Sequence, residues 1–132
     1  MTNDLLLNEI WVRLFVGLVL GLILGSFTTM LSYRVPRRLS IIHPPSHCTH
    51  CHTPLRPRDL IPVFSWLIEG GKCSHCGALI SVRYLIIELI TTAGCTAAFL
   101  FIGFRPAVIA ALIGVVALIT LVTINIERNQ QN

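Results

Sequence analysis

Four cysteines carry the sharpest chemical signal in this 132-residue chain. They stand as two pairs, Cys48-Thr49-His50-Cys51 and Cys73-Ser74-His75-Cys76, with residues 52–72 between them. Thiolate is a soft ligand, and two residues between ligands let one tight turn aim both sulfurs at the same ion. Four sulfurs at this spacing predict a single tetrahedral zinc held by Cys48, Cys51, Cys73 and Cys76. Gly77, directly after the second pair, supplies the relaxed backbone such a turn favours. Four protein ligands close the shell and leave no position for a catalytic water, so the zinc is expected to be structural. Disulfides or a redox-active pair are the weaker readings, because the loop is assigned below to a reducing compartment and no strand–helix pattern flanks either pair. His50 and His75 inside the knuckles, and His47 and His52 beside the first, can also ligate metals. With the shell already filled they read as solvated loop residues. The fifth cysteine, Cys95, lies in an apolar run and reads as a small buried apolar residue.

The elements that must position these knuckles belong to a membrane. Hydrophobic residues make up 54% of the chain and charged residues 12%, which excludes a disordered tail and leaves little chain for a large soluble core. Residues 14–33, 89–104 and 106–126 carry no charge, and roughly 20 residues of helix cover the ~30 Å hydrocarbon layer. The predicted fold is an all-α membrane protein: three transmembrane helices with a zinc-knuckle cytoplasmic loop between helices 1 and 2. In order, residues 1–33 are the N-terminus and first transmembrane helix, 34–83 the four-cysteine loop, 84–104 the second transmembrane helix, 106–126 the third, and 127–132 a cytoplasmic tail. The chain reverses at Gly103-Phe104-Arg105-Pro106. The first apolar run is long and its leading residues are acidic, so it reads as a retained helix rather than a cleaved signal peptide.

The loop from Arg34 to Arg83 holds seven of the ten Lys and Arg residues and all five histidines, against Asp59 and Glu69. That excess places it in the cytoplasm and leaves the N-terminus, with Asp4 and Glu9, outside. Arg37, Arg38, Arg56 and Arg58 are explained by lipid phosphate and by topology, and no interleaved aromatics argue for nucleic acid as a partner. The bilayer itself is the expected partner.

Gly17, Gly21 and Gly25 recur every four residues and put small residues on one face, where a neighbouring helix can approach closely. Ser26, Thr28, Thr29 and Ser32 extend that face, and Pro36 forces an end to the helix soon after Tyr33. Between the cysteine pairs, residues 59–67 are unusually apolar and read as a segment lying on the membrane surface or packing on the metal site, with Trp66 suited to an interface. Glu88 falls early in the second transmembrane helix. A carboxylate there is costly in lipid, so it is a candidate functional residue, with an ion pair to Arg83 or to an arginine at the end of the first helix as the alternative.

These residues resemble the type IV prepilin peptidases, inner-membrane enzymes that cleave prepilin leaders and N-methylate the new terminus. The resemblance rests on Gly25-Ser26-Phe27 with Tyr33-Arg34-Val35-Pro36, on both cysteine pairs, on Asp59 with residues 61–67, and on residues 80–84 with Glu88-Leu89. Thr49 and Leu85 stand where the family often has proline. The resemblance implies that the loop is the family's zinc-binding N-terminal region, associated with S-adenosylmethionine-dependent methylation, and that prepilins or type II secretion pseudopilins are the substrates. It also implies a pair of catalytic aspartates. The first would fall in Ile124-Asn125-Ile126-Glu127, where Asn125 replaces it, and the second lies in a Gly-x-Gly-Asp motif that these residues do not contain. The expectation is therefore a truncated prepilin-peptidase-like protein of the bacterial inner membrane, lacking the protease half and unlike a competent aspartic protease on its own. Two classes remain open. One is a methyltransferase or one component of a split enzyme, paired with a separate protease-half chain. The other is a non-catalytic membrane module that binds prepilin or an assembly partner.

Overall fold

The computed structural model describes residues 2–43 and 45–131. It contains four α-helices, α1 (Thr2–Arg34), α2 (Phe64–Ile68), α3 (Val82–Ile102) and α4 (Ala107–Gln131), with one 3-10 turn at Pro57–Leu60. Among the described residues there is no strand, and the extended pairings are two isolated bridges in the loop. α1, α3 and α4 are each long and apolar enough to cross a membrane, over Asn8–Arg34, Val82–Ile102 and Ala107–Asn129. The all-α fold with three such helices, and the cysteines between the first two, is as the sequence predicts.

Local chemistry sets the helix ends. Pro36 cannot continue α1, and beyond Arg34 the chain turns back so that Leu39 N–H bonds the Arg34 carbonyl while the Arg34 guanidinium reaches Ser40 O at 2.5 Å. α3 opens behind Ser81, whose hydroxyl accepts the Arg83 N–H at 3.3 Å as an N-cap. It closes at Ile102, short of the boundary at 104 read from the sequence. The reason is Gly103, which takes φ 71° and ends the helix. Phe104 then sits outside the helix and meets Phe99 edge-on, with ring centroids 5.7 Å apart. α4 differs in the opposite sense: residues 127–131 continue it as helix, where a tail was expected.

α3 is the central helix. A Cβ added at Gly17 would lie 2.8 Å from Thr96 Cα, one at Gly21 2.8 Å from Thr92 Cα, and one at Gly25 3.0 Å from Glu88 O. As the glycines advance by four, their partners recede by four, which is the register of two antiparallel helices touching along one stripe. Lipid tails are as apolar as leucine and give no hydrophobic drive to this pairing, so the close approach itself holds it together. The threonines carried into the seam bring their own acceptors. Thr29, Thr92 and Thr96 donate to the carbonyls of Gly25, Glu88 and Thr92 at 2.9, 2.7 and 2.8 Å. α4 packs on another side of α3, where Gly94 faces Val115. At the turn end of the bundle the Arg13 guanidinium, paired with Glu9 at 2.7 Å, lies against Gly103.

Candidate metal centre and its supports

The two knuckles are the same turn built twice. Cys48 N–H donates to Thr53 O at 3.0 Å while His52 N–H donates back to Cys48 O at 2.9 Å. Cys73 N–H donates to Ala78 O at 2.8 Å while Gly77 N–H donates to Cys73 O at 2.9 Å. Outside each turn a bridge closes the base, His47 with Pro54 and Lys72 with Leu79. The turn requires a left-handed residue directly after the second cysteine, and both copies have one: Gly77 at φ 70° and His52 at φ 55°. Glycine meets that demand at no steric cost, whereas histidine carries a Cβ into it.

This geometry brings Cys48, Cys51, Cys73 and Cys76 together, with all four sulfurs within 4.8 Å of one another and Cys48 Sγ 3.9 Å from Cys76 Sγ. A tetrahedral ion with metal–sulfur bonds of ~2.3 Å places its sulfurs about 3.8 Å apart. The donor set therefore fits a metal ion of that size. Its electrostatics call for one as well. Thr53, through its hydroxyl 3.3 Å from the sulfur and then its backbone, holds the Cys51 thiol down at about 6. Backbone N–H groups of Cys76 and His75 lower Cys73. Cys76, although the backbone at Ala78 favours its thiolate, is pushed up to about 11 by desolvation and by the neighbouring sulfurs. Four thiolates crowded at this distance repel one another, and a cation at their centre removes the conflict.

The histidines stand outside the cluster. His47 Nδ1 lies 3.0 Å from Pro45 O, and its ring tilts against His52 with centroids 5.8 Å apart. Cys95 is fully buried in α3, far along the chain from the knuckles.

Three contacts tie the centre to the bundle. Trp66 on α2 stacks beneath the second knuckle, where a Cβ at Gly71 would meet its ring at 2.7 Å, and its Nε1–H donates to Ile80 O at 3.2 Å. Of the two placements read from the sequence for residues 59–67, this face of α2 takes the one against the metal site. Glu88 forms neither of the ion pairs considered for it. Its Oε2 instead accepts the Val63 N–H at 2.7 Å, fixing the loop just ahead of α2. Val63 is held at φ 62°, a conformation costly for a β-branched residue.

The third contact joins residues that sequence reasoning missed. Glu127 Oε1 accepts from Arg83 at 2.5 Å and from Arg37 at 3.4 Å, and Arg83 also reaches Thr123 O at 3.3 Å. Arg37 lies over the Tyr33 ring, 4.1 Å from its centroid. Loop, α3 and α4 therefore meet at one buried carboxylate, with the end of α1 joined to it through Arg37 over Tyr33. A cavity of about 90 Å³ beside it is lined by Ser32, Tyr33, Ser81, Tyr84 and Ile87 together with Arg83 and Glu127. Asn125, two residues before Glu127 on α4, faces outward and is exposed. Asp59 turns its carboxylate onto the Arg56 N–H at 2.9 Å, bracing the 3-10 turn.

The chain is similar to several prepilin leader peptidase/N-methyltransferases. It is 38% identical over 109 residues to one from Bacillus subtilis (strain 168), covering 83% of this chain and 44% of that protein. It is 39% identical over 106 residues to one from Dichelobacter nodosus, covering 60% of this chain and 37% of that protein. A third, from Myxococcus xanthus (strain DK1622), is 38% identical over 110 residues, covering 83% of this chain and 33% of that protein. The chain thus spans less than half the length of these curated relatives. No solved structure matches it. Residues 19–102, the stretch that holds Gly21 and Gly25 of the seam, both knuckles and Glu88, match the family described as Bacterial Peptidase A24 N-terminal domain, and the chain belongs to that family.

Proposed function

We propose that this chain does the work of the N-terminal region of a prepilin leader peptidase/N-methyltransferase: a membrane-embedded, zinc-organised module that presents a cytoplasmic loop to prepilin or pseudopilin. The convergence of four cysteine sulfurs within 4.8 Å is the observation that carries this reading. Four soft ligands in a closed shell suit zinc, in a structural role. The basic excess of the loop favours a cytoplasmic placement in the bacterial inner membrane with the N-terminus outside.

The acids favour a module that supplies no aspartic dyad. Aspartic chemistry needs one carboxylate to take a proton from water and a second to donate one. Here Glu9 is committed to Arg13, Asp59 to a backbone N–H, Glu88 to Val63 and Glu127 to two arginines. Asn125 presents an amide, which cannot accept the proton. Leader cleavage then depends on carboxylates outside these 132 residues. S-adenosylmethionine enters through the family alone. No methyl-transfer step is assigned to the cavity beside Glu127.

The test is leader removal from a prepilin in membranes free of other prepilin peptidases. The 132-residue chain and its Asn125→Asp variant are both expected to leave the leader in place, because one carboxylate does not make a dyad. Restored cleavage on co-expression of a chain bearing a Gly-x-Gly-Asp helix, with Asn125→Asp present, supports the split arrangement. Cleavage by the unmodified chain would overturn it.

A further inference from the structure

We infer that the segment from Ile61 to Ile68 is a membrane-inserted element, seated in the lipid of the same bilayer that α1, α3 and α4 cross. The depth of its anchor is the first ground. Charged residues ring both ends of the bundle. Arg13 lies against Gly103 at the turn end, and Arg83 and Glu127 pair at the loop end. The 20 residues of α3 from Arg83 to Ile102 span about 30 Å at 1.5 Å per residue, the thickness of the hydrocarbon layer. Glu88 is five residues inside that boundary, roughly 7 Å along the axis. Its side chain tilts toward the N-terminal end of α3, and its carboxylate holds the Val63 N–H, so the start of α2 is drawn inside the boundary, within those outer 7 Å or so.

The second ground is the division of faces on α2. Trp66 turns toward the second knuckle, against Gly71 and Ile80. Phe64, Leu67 and Ile68, spaced three and four apart, share a face and are 54%, 58% and 83% exposed in the protein alone. Ile86, Leu89 and Ile90 of α3, a membrane-length helix, are exposed in the same way. An exposed apolar face tethered through Glu88 to a membrane-length helix fits acyl chains.

The third ground is the backbone, which must satisfy itself where water is scarce. Val63 donates to Glu88, Ser65 to Ile61 O, Leu67 to Val63 O and Glu69 to Ser65 O, while Pro62 has no N–H to satisfy. A loop lying in water gains little from recruiting an intramembrane carboxylate to bond one N–H. A segment in lipid needs that acceptor, and the strained turn at Val63 is what brings the N–H to it.

The experiment reconstitutes the full chain in phosphatidylethanolamine and phosphatidylglycerol vesicles containing a lipid with a photoactivated carbene source near the top of its acyl chain. Labelled peptides are then mapped by mass spectrometry. Label is expected on residues 61–68 as well as on 86–90, which serve as the internal reference. Glu88→Ala is expected to lose label from 61–68 while keeping it on 86–90, and Glu88→Gln, which retains an acceptor oxygen, to keep both. Metal content matching that of the unmodified chain shows that each variant is folded. Label on 86–90 with none on 61–68 in the unmodified chain overturns the inference and assigns the exposed face of α2 to water or to a protein partner. Unchanged label in Glu88→Ala overturns the role of Glu88 as the depth anchor.

Discussion

Replacing Gly21 by alanine tests the seam on which the knuckles are built. The new methyl would stand 2.8 Å from Thr92 Cα and 3.0 Å from Thr92 O, both backbone atoms that cannot rotate away. Ordinary carbon contacts lie at about 3.5–4.0 Å, so α1 and α3 must separate by roughly 0.7 Å or more, and a gap of that size forfeits about a quarter to a half of each dispersion contact along the stripe. Adding bulk to a filled site costs about 1–3 kcal/mol. Alanine returns roughly 0.4–1 kcal/mol by restricting the unfolded chain. The net loss is therefore about 1–2 kcal/mol, referred to the same two effects. Gly114 is the control, because a Cβ there meets nothing within 4 Å and Gly114→Ala should register only the gain. Reversible unfolding in mixed micelles with increasing SDS, followed by circular dichroism, measures both variants. If Gly21→Ala proves as stable as Gly114→Ala, the close approach is not what holds the bundle.

Further outcomes follow from the loop end. Arg83→Ala should destabilise by about 1–3 kcal/mol, less than a fully buried broken pair because the arginine is partly exposed; Arg37→Ala, whose contact to Glu127 is longer, should cost clearly less in the same titration. His52→Gly should slow metal loss to a chelator, since it relieves a left-handed residue worth about 1–2 kcal/mol, while Gly77→His should speed it. Trp66→Leu removes the Nε1–H bond to Ile80 O and the ring stacked under Gly71, and is expected to raise protease cutting near residue 70 without altering the helix content.

The features legible in the sequence are those governed by local rules. Two cysteine pairs announce their own turn, charge-free runs announce helices, and a four-residue glycine repeat announces a packed face. Contacts between distant segments obey no such rule. Glu127 falls just past an apolar run and reads as the start of a tail, because nothing local shows that Arg83 and Arg37 will close on it from other elements. Glu88 stood out by its cost in lipid, but the natural partner to seek is an arginine, and the true partner is a backbone N–H. That N–H is offered by Val63 in a left-handed conformation that β-branched residues rarely adopt, so propensity argues against the very turn that presents it. His52 hides the symmetry of the knuckles for the same reason. It follows Cys51 as Gly77 follows Cys76, but its φ of 55° and the matching hydrogen bonds at Thr53 and Ala78 are what show the two turns to be the same.

The most direct test of a zinc-organised membrane module is the metal itself. Zinc should be measured by elemental mass spectrometry in the detergent-purified chain and in Cys73→Ser, alongside limited proteolysis of residues 34–83. The account predicts one zinc per chain and a protected loop in the unmodified protein, with both lost in the variant while α1, α3 and α4 remain helical. An unmodified chain that holds no metal and still protects its loop would contradict it.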